Sequence, residues 1–390
     1  MKQLWVPQDL IMAKKIVYVV GGLYAPTGMV VILSQKINYL AEHTNYDLYM
    51  ILTESPEKSW CYKMSPKIKW VNFNINFDEL DTMPIYKKVF SYFIKQRKYK
   101  KSFNNYLMKI RPDITISALR REINFINDIK DGSKKIGEIH FSRMFYRNFN
   151  IKFLPKSINS MMTSLWSKEL IKNIKRLDKF IVLTKSDYER WPEISNKIVI
   201  PNFISNYPNQ YSPLIDNKVI AIGRYTWQKG FDLLIEAWFI VARYHPNWTL
   251  HIYGLGDKDN YQNLAEEKGI GDNVTCHSFA EDVYEKYRES SIFVLSSRYE
   301  GFGLVLAEAM ATGLPSVAFN CPDGPSDIIT NGVDGILVEN GDTHKLAEGI
   351  MYLISHEKER VLYGQNAREN MKRYNKDIIM QEWINLFETI

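Results

Sequence analysis

Residues 297–313 read SRYEGFGLVLAEAMATG and follow an apolar run that ends at Leu295. Two glutamates, Glu300 and Glu308, lie eight positions apart and bracket a Gly-x-Gly turn. A glycine-rich turn between a strand and a helix presents backbone N–H groups at the positive end of a helix dipole, which suits a diphosphate. A capping acid and an ordinary helix-face acid would give the same spacing, so this interpretation needs support from elsewhere in the chain.

A second motif, GRYTWQKG at residues 223–230, comes directly after another apolar run. Its Arg224 and Lys229 are five positions apart at the exit of a predicted strand, where both can converge on the same phosphates. Two such cations can neutralise a departing nucleoside diphosphate without a metal ion. Either cation alone is plausible as a solvated loop residue, but the glutamate pair at the matching edge of the same sheet favours a shared site.

Short β-branched and apolar runs alternate with longer amphipathic segments along the 390 residues, which is the pattern of parallel sheets with crossover helices. This length favours two domains, and turn-forming residues concentrate at residues 200–213. The sequence therefore predicts an α/β protein with two doubly wound domains, at residues 1–205 and 206–375, and a terminal helix at residues 376–390 that packs back on the first domain. We expect strands near residues 15–20, 47–52, 113–117, 134–140, 179–183, 218–222, 249–253, 291–295, 316–319 and 335–338, and in the first half helices near residues 28–42, 85–109 and 158–176.

These motifs, together with GLPSV at residues 313–317, NCPDGPSDII at 320–329 and NGVDGILV at 331–338, resemble glycosyltransferase family 4 (glycosyl transferases group 1), a large family of retaining bacterial enzymes with the GT-B fold. The resemblance covers nearly the whole chain and points to the branch that acts in capsule, lipopolysaccharide and glycan assembly. It implies two Rossmann-like domains that face a central cleft, the first binding the acceptor and the second binding the nucleotide-sugar donor. Asp327 stands where that branch usually has glutamate, which changes the reach of the carboxylate.

The resemblance also assigns roles to particular residues. Arg224 and Lys229 would bind the donor diphosphate, Glu300 the donor sugar, and Glu308 the ribose of the nucleoside. The predicted donor site further includes Gly223, Phe302, Gly303 and Leu304 from the second domain, and Gly22 and Gly28 from the first.

The first domain offers a glycine loop and a histidine. Gly22 and Gly28 lie between the first predicted strand and helix, where the chain can approach a ligand closely, but their spacing is not the G-x-G-x-x-G dinucleotide fingerprint. The resemblance places this loop near the donor phosphate and the acceptor, although Val30 and Val31 replace the usual polar pair. A lone histidine is more often structural, yet the resemblance implies that His140 contacts the donor sugar; Glu138, two residues earlier on a strand, points the same way.

Charge is divided unevenly along the chain. Residues 1–205 hold 34 Lys and Arg against 18 Asp and Glu, whereas residues 206–390 hold 16 against 26. Within residues 85–111 there is no acid, and basic residues alternate with aromatic ones at helical spacing. Such a helix can lie on an anionic membrane surface, or it can pack its aromatic face on the domain core. No known nucleic-acid-binding signature is present, so we do not expect nucleic acid as a partner.

The sequence leads us to expect retaining transfer of a hexosyl or N-acetylhexosaminyl group from a nucleotide-diphosphate sugar, UDP-sugar being favoured, to a glycan or lipid-linked glycan acceptor. We expect neither a cofactor nor a metal: Asp257 and Asp259 form a D-x-D motif, but it opens a predicted helix and fits a cap. A catalytically silent glycan-binding homologue is the alternative, and a nicotinamide-dependent oxidoreductase is less favoured because its fingerprint is missing.

The expected location is the cytoplasm, with the inner face of the cytoplasmic membrane as a place of peripheral attachment. No apolar run approaches 18 residues, and no secretory signal is recognisable near the start. Cys61, Cys276 and Cys321 are few and widely spaced, which argues against a disulfide framework and a cysteine-based zinc site.

Overall fold

The computed structural model describes residues 13–24, 27–55, 57–145 and 156–390. Its first half forms a seven-stranded sheet in the order β3-β2-β1-β4-β5-β6-β7, and all neighbouring strands are parallel. The strands of this sheet are β1 (Lys15–Val19), β2 (Asp47–Leu52), β3 (Lys69–Asn72), β4 (Ile114–Ser117), β5 (Lys134–Glu138), β6 (Lys179–Val182) and β7 (Lys197–Val199). Its helices are α1 (Gly28–His43), α2 (Ile85–Ile110), α3 (Lys156–Ile174) and α4 (Lys185–Glu189).

The second half forms a six-stranded parallel sheet in the order β10-β9-β8-β11-β12-β13. Its strands are β8 (Lys218–Ile222), β9 (Thr249–Tyr253), β10 (Val274–His277), β11 (Ile292–Leu295), β12 (Ser316–Phe319) and β13 (Gly335–Val338). The helices that follow β8 are α5 (Phe231–Tyr244), α6 (Lys258–Glu267), α7 (Val283–Arg288), α8 (Leu304–Ala311), α9 (Pro325–Ile328), α10 (Thr343–Ser355), α11 (Glu357–Met371) and α12 (Lys376–Thr389). The prediction of two doubly wound, Rossmann-like α/β domains is confirmed.

The central strands are apolar because helices cover both faces of each sheet. In β11 and β12 every residue is buried, and the side chains of both faces contribute to separate hydrophobic clusters. Three strands that the sequence did not predict, β3, β7 and β10, all lie at sheet edges and contain partly exposed residues. The fourth edge strand, β13, was predicted, so a position at the edge weakens the apolar signal without removing it.

Helix α12 returns the chain to the first domain. Its Ile379, Met380, Trp383 and Phe387 are buried in the hydrophobic cluster formed by α1 and the first sheet. The segment between β7 and β8, where we place the domain boundary, contains no helix or strand. Within the described ranges of the chain, no helix is both long enough and apolar enough to cross a bilayer.

Candidate active site

The two predicted motifs meet at the carboxyl edge of the second sheet. Strands β8 and β11 are parallel neighbours, so the loops that follow them leave the sheet side by side. Lys229, at the end of the first loop, donates a hydrogen bond to Glu300 in the second, with Nζ 2.7 Å from Oε1. Both side chains are largely buried, so this ion pair forms part of the site's framework.

One oxygen of Glu300 takes all of its described hydrogen bonds. Ser297 Oγ donates to Oε1 at 2.6 Å, and Lys229 bonds the same atom. Among the described residues, Oε2 has no hydrogen-bond partner. The carboxylate is therefore fixed through one oxygen and presents the other to a ligand. The sequence did not single out Ser297, although its position three residues before Glu300 is the only signal it could have given.

Tight backbone contacts lock the two loops together. Gly230 has a left-handed φ of 62°, and a Cβ at this position would lie 2.1 Å from the carbonyl oxygen of Ser296. The Ser296 hydroxyl donates to the Lys229 carbonyl at 2.9 Å. Arg298 donates two hydrogen bonds to the Asp232 carboxylate, at 2.9 and 2.6 Å. These contacts determine the direction in which Lys229 leaves the backbone.

Arg224 is exposed at the same edge of the sheet. The next residue, Tyr225, is buried and donates its hydroxyl to the carbonyls of Ile252 and His277 at 2.8 Å each, so the loop is anchored beside Arg224. No ion pair to Arg224 is present within the described part of the chain. Burial raises the pKa of Tyr299, and the nearby Arg224 guanidinium opposes that rise. Arg224 thus presents an uncompensated positive charge close to Glu300.

Glu308 lies in the second turn of α8 and is only partly exposed. Burial raises the pKa of its carboxyl to about 8. No side chain or backbone group in the described ranges makes a hydrogen bond to it. A half-buried carboxyl without a partner is costly, and a ligand that donates hydrogen bonds would relieve that cost.

The Gly-x-Gly turn starts α8. Gly303 has a φ of 95° and is the N-cap residue, and the first turn of a helix leaves its N–H groups without intrahelical acceptors. Phe302 is buried, with its ring 5.3 Å from that of Tyr374. Leu304 packs against the clusters of both domains. The aliphatic part of the Lys229 side chain fills the space beside Gly223. A Cβ at residue 223 would lie 3.0 Å from Lys229 Cγ.

Residues from the first domain reach this edge across the cleft. A Cβ on Gly301 would lie 2.5 Å from the carbonyl oxygen of His140, and one on Gly28 would lie 4.0 Å from Leu304 Cδ2. The structure therefore brings His140 and Gly28 to the predicted donor site. Gly22 differs: a Cβ there would lie 2.4 Å from the Tyr24 ring, so this glycine gives room to a tyrosine of its own loop.

His140 belongs to a buried charged group. Its Nε2 lies 3.2 Å from Glu138 Oε1, and Glu138 also accepts two hydrogen bonds from Lys36 at 2.5 and 2.6 Å. Burial acts to raise the pKa of Glu138, but Lys36 and then His140 outweigh it and hold that pKa at about 2. Sequence reasoning found Glu138 but missed Lys36, because α1 brings Lys36 there through tertiary packing.

Asp327 holds the domains together. Its carboxylate accepts a hydrogen bond from the backbone N–H of Lys185 at 2.7 Å and from the Ser186 hydroxyl at 2.5 Å, at the start of α4 in the first domain. Nearby, Arg190 Nε donates to Asp323 at 2.7 Å. Asp327, which stands where the resembling branch has the longer glutamate, therefore accepts hydrogen bonds at the start of α4 in the opposite domain.

The structure gives the D-x-D motif a local role. The Asp257 side chain caps α6 by accepting a hydrogen bond from the Asn260 N–H at 3.2 Å. Within the described ranges, no group of three or more His, Cys, Asp or Glu side chains is arranged to hold a metal ion.

Comparison with known proteins gives a family match in the second domain. Residues 208–370 match the family Glycosyl transferases group 1. An uncharacterized glycosyltransferase of Haemophilus influenzae is 33% identical over 211 residues, which are 53% of this chain and 60% of the relative. The poly(ribitol-phosphate) alpha-N-acetylglucosaminyltransferase of Staphylococcus aureus is 31% identical over 230 residues, 57% of this chain and 46% of the relative. The chain thus spans about half the length of these relatives.

The fold matches solved structures over most of the chain. A TarM variant of Staphylococcus aureus, in complex with fondaparinux, alpha-GlcNAc-glycerol and UDP, superposes with a TM-score of 0.74. The two proteins are 20% identical, and the match covers 96% of this chain and 99% of that one. At this identity the likeness establishes a shared fold.

Proposed function

We propose that this chain, whose residues 208–370 match the glycosyl transferases group 1 family, transfers a sugar from a nucleotide-diphosphate sugar to a hydroxyl of a glycan or lipid-linked glycan, with retention at the anomeric carbon. One observation carries the proposal. Arg224, Lys229 and Glu300 lie in the loops that follow the neighbouring strands β8 and β11, Glu308 lies in the helix that begins there, and His140 of the other domain adjoins Gly301.

The two cations bind the diphosphate. Arg224 is exposed and has no described ion-pair partner, so its guanidinium is free to bind phosphate oxygens in a bidentate manner. Lys229 enters the site already oriented by Glu300 and adds a second positive charge. The first-turn N–H groups of α8, which follow Gly303, supply further donors to the same anion. Together they stabilise the negative charge that develops on the leaving group.

The two glutamates bind hydroxyl groups at opposite ends of the donor. Glu300 presents Oε2 to the sugar while Oε1 is held by Ser297 and Lys229. Glu308 lies further along α8 and accepts hydrogen bonds from the ribose. The separation of the two carboxylates along the chain, with the diphosphate turn between them, matches the order sugar, diphosphate and ribose in the donor.

Retention requires the new bond to form on the face from which the old one leaves. The bond between the anomeric carbon and the phosphate oxygen breaks, and the acceptor oxygen attacks the same face. The acceptor proton passes to the departing phosphate oxygen, so no protein nucleophile is needed. His140, buried beside Gly301, lines the sugar side of the cleft, with its Nε2 3.2 Å from Glu138 Oε1.

The comparisons support the choice of donor and acceptor. The TarM variant is described with UDP bound, and the Staphylococcus aureus relative acts on poly(ribitol phosphate) with N-acetylglucosamine. An amylovoran biosynthesis glycosyltransferase of Erwinia amylovora is also 30% identical over 217 residues. On this basis we propose a UDP-sugar donor and an acceptor in bacterial surface polysaccharide synthesis.

A panel of nucleotide sugars tests the proposal. Purified protein is incubated with each donor and a glycan acceptor, with and without a chelator, and the release of nucleoside diphosphate is measured. We expect release from at least one UDP-sugar, with equal rates in chelator, and an α-linked product by NMR when an α-linked donor is used. Release only with added magnesium or manganese would contradict metal-independent catalysis, and an inverted product would contradict retention.

A further inference from the structure

Helix α2 is buried along only part of its length. In its second half Tyr99, Phe103 and Leu107 are buried, and the rings of Tyr99 and Phe103 pack edge-to-face with Phe125 at centroid distances of 5.1 and 5.6 Å. In its first half Phe90 is 70% exposed and Phe93 is 60% exposed. The second half of α2 therefore packs its aromatic face on the domain core, whereas the first half leaves aromatic side chains exposed.

The exposed residues form one stripe. At 3.6 residues per turn, Phe93 and Ile94 lie three and four residues after Phe90, Arg97 lies four and three residues after them, and Lys101 lies four residues after Arg97, so all five share the outward side of α2. Val89 lies beside this stripe and is also exposed. We call these six residues the outer face of α2. Its apolar members occupy the start of the helix, and its two cations lie directly behind them.

Most other basic residues of the helix are engaged by the protein. Lys95 donates to the carbonyls of Ile75 and Asn76 at 2.6 and 2.8 Å and to Glu79 at 2.9 Å. Lys98 bonds a carbonyl at 3.2 Å, and Lys100 pairs with Asp128 at 3.0 Å. Within the described residues, Arg97 and Lys101 have no ion-pair partner. Arg97 and Lys101 on the outer face therefore have positive charge available to a partner.

Helix α3 adds apolar surface nearby. Its Met161 and Leu165 are exposed, and both α2 and α3 pack against the short 3₁₀ helix at Arg121–Asn124. Gln96 of α2 donates a hydrogen bond to the Arg121 carbonyl at 2.9 Å, which joins α2 to this 3₁₀ helix. Each of the two helices therefore has exposed apolar side chains.

We propose that the outer face of α2 docks on an anionic membrane surface. Exposed phenylalanines at one end enter the headgroup region, and Arg97 and Lys101 neutralise lipid phosphates. Charge complementarity favours lipid as the occupant: α2 contains no acid, and the first domain carries a large excess of positive charge. The docking goes beyond the proposed function; it rests on that function only in suggesting that the acceptor is lipid-linked.

Vesicle co-sedimentation tests the docking without any donor. We expect the protein to bind phosphatidylcholine vesicles that contain phosphatidylglycerol, and to be released as salt shortens the Debye length to about 8 Å at physiological ionic strength. Arg97→Gln/Lys101→Gln should weaken binding by about fivefold per charge removed, and Phe90→Ser/Phe93→Ser should abolish stable binding at low salt. Arg243→Gln/Lys358→Gln and Ile215→Ser/Leu362→Ser alter exposed residues of the second domain and should bind as the wild type does.

Three outcomes would overturn the proposal: no binding of the wild type at low salt, equal loss in the control variants, or a dimer that dissociates in Phe90→Ser/Phe93→Ser while vesicles are ignored. Thermal melting of each variant shows whether it is folded. Donor hydrolysis is measured in parallel, because its site lies in the other domain. A wild type that hydrolyses no donor would count against the proposed function. A wild type that hydrolyses donor but does not bind vesicles would count against the docking alone.

Discussion

At Glu300 a single carboxylate joins the framework of the site to its ligand-binding side. Oε1 is held by Lys229 and Ser297, while Oε2 is available to the sugar. This division has a consequence for mutagenesis, because removing Lys229 leaves a buried carboxylate without its cation. Stability and catalysis must therefore be separated before a loss of activity is interpreted.

Lys229→Met should lower kcat/KM by at least about 100-fold, since it removes a cation that stabilises the leaving diphosphate. It should also lower the free energy of unfolding, because Glu300 is left buried and unpaired. Lys229→Met/Glu300→Gln should recover stability in urea unfolding but not turnover. Lys268→Met, which breaks a similar 2.7 Å ion pair with Glu236 outside the site, should leave turnover unchanged. Turnover restored by the double variant would refute the role given to Lys229.

Glu308 gives a prediction about pH. Burial raises the pKa of its carboxyl from 4.5 to about 8, so its contribution to stability is present below pH 4.5 and is lost as the pH rises through about 8. Glu308→Gln should remove this dependence, and the variant should be the more stable protein at pH 9. Urea unfolding at pH 6 and 9 measures both effects.

Ribose binding by Glu308 should have the opposite pH dependence. The ionised carboxylate accepts two hydrogen bonds, so UDP affinity should increase between pH 7 and 9, where the diphosphate is already fully ionised. 2′-Deoxy-UDP is the matched control, because it lacks one hydroxyl donor and keeps the diphosphate. Equal pH dependence for the two nucleotides would show that Glu308 does not bind the ribose.

At the scale of elements, the strand-to-helix loops determine where the cations lie. Gly230 is the tightest point, since its left-handed φ and the Ser296 carbonyl 2.1 Å from a Cβ exclude any side chain. Gly269 has a similar φ of 72° but no atom within 4 Å of a Cβ. An alanine at residue 269 would therefore have backbone strain alone, whereas an alanine at residue 230 would have both backbone strain and steric overlap.

Gly269→Ala should lower the free energy of unfolding by about 1–2 kcal/mol, the cost of left-handed backbone in a residue with a side chain. Gly230→Ala should cost distinctly more, and it should also weaken donor binding because Lys229 is displaced. Chemical denaturation and UDP titration of both variants test this. Similar losses for the two alanines would contradict the contact with Ser296.

The strands predicted most accurately from the sequence are those composed mainly of apolar residues. Strands β8, β9, β12 and β13 have the predicted bounds because apolar residues make up most of each strand. Strand β7 has only three residues and lies at an edge, where no continuous apolar run is required. The extent of α2 was predicted to within one residue, yet its division into a buried and an exposed half depends on which neighbours pack against it.

The site was predictable in the same limited way. Parallel strands bring successive loops to one edge, so the proximity of the Arg224 and Glu300 motifs followed from chain order. The contribution of Lys36 to the His140 group, and the cap that Asp327 provides on α4, depend on distant segments of the chain. Local spacing carries no information about such contacts.

At the scale of the whole molecule, Lys36 links α1, the first sheet and the terminal helix. Its Nζ bonds Glu138 and lies 3.7 Å from the centroid of the Trp383 ring in α12. Burial lowers the pKa of Lys36, while the lysine holds the pKa of Glu138 well below its usual range. The ion pair therefore fastens the end of the chain to the cleft side of the first domain.

Lys36→Met should reduce the free energy of unfolding by about 3–5 kcal/mol, because Glu138 would be buried without its partner. Lys36→Met/Glu138→Leu should recover much of that loss. The pKa of about 2 means that Glu138 stabilises the wild type above its ordinary pKa and that this contribution is lost as the pH falls towards 2. The free energy of unfolding of the double variant should therefore fall less between pH 4.5 and 2 than that of the wild type. An equal fall in both proteins would contradict this role of the ion pair.

The central claim is that the second domain binds the diphosphate of a nucleotide sugar through Arg224. Calorimetric titration of UDP into wild type, Arg224→Ala and Arg243→Ala tests it directly, because both arginines are exposed and only Arg224 lies at the site. We expect wild type and Arg243→Ala to bind UDP equally, and Arg224→Ala to bind at least about tenfold more weakly with an unchanged melting temperature. Equal affinity in all three proteins, or no binding by the wild type, would contradict the account.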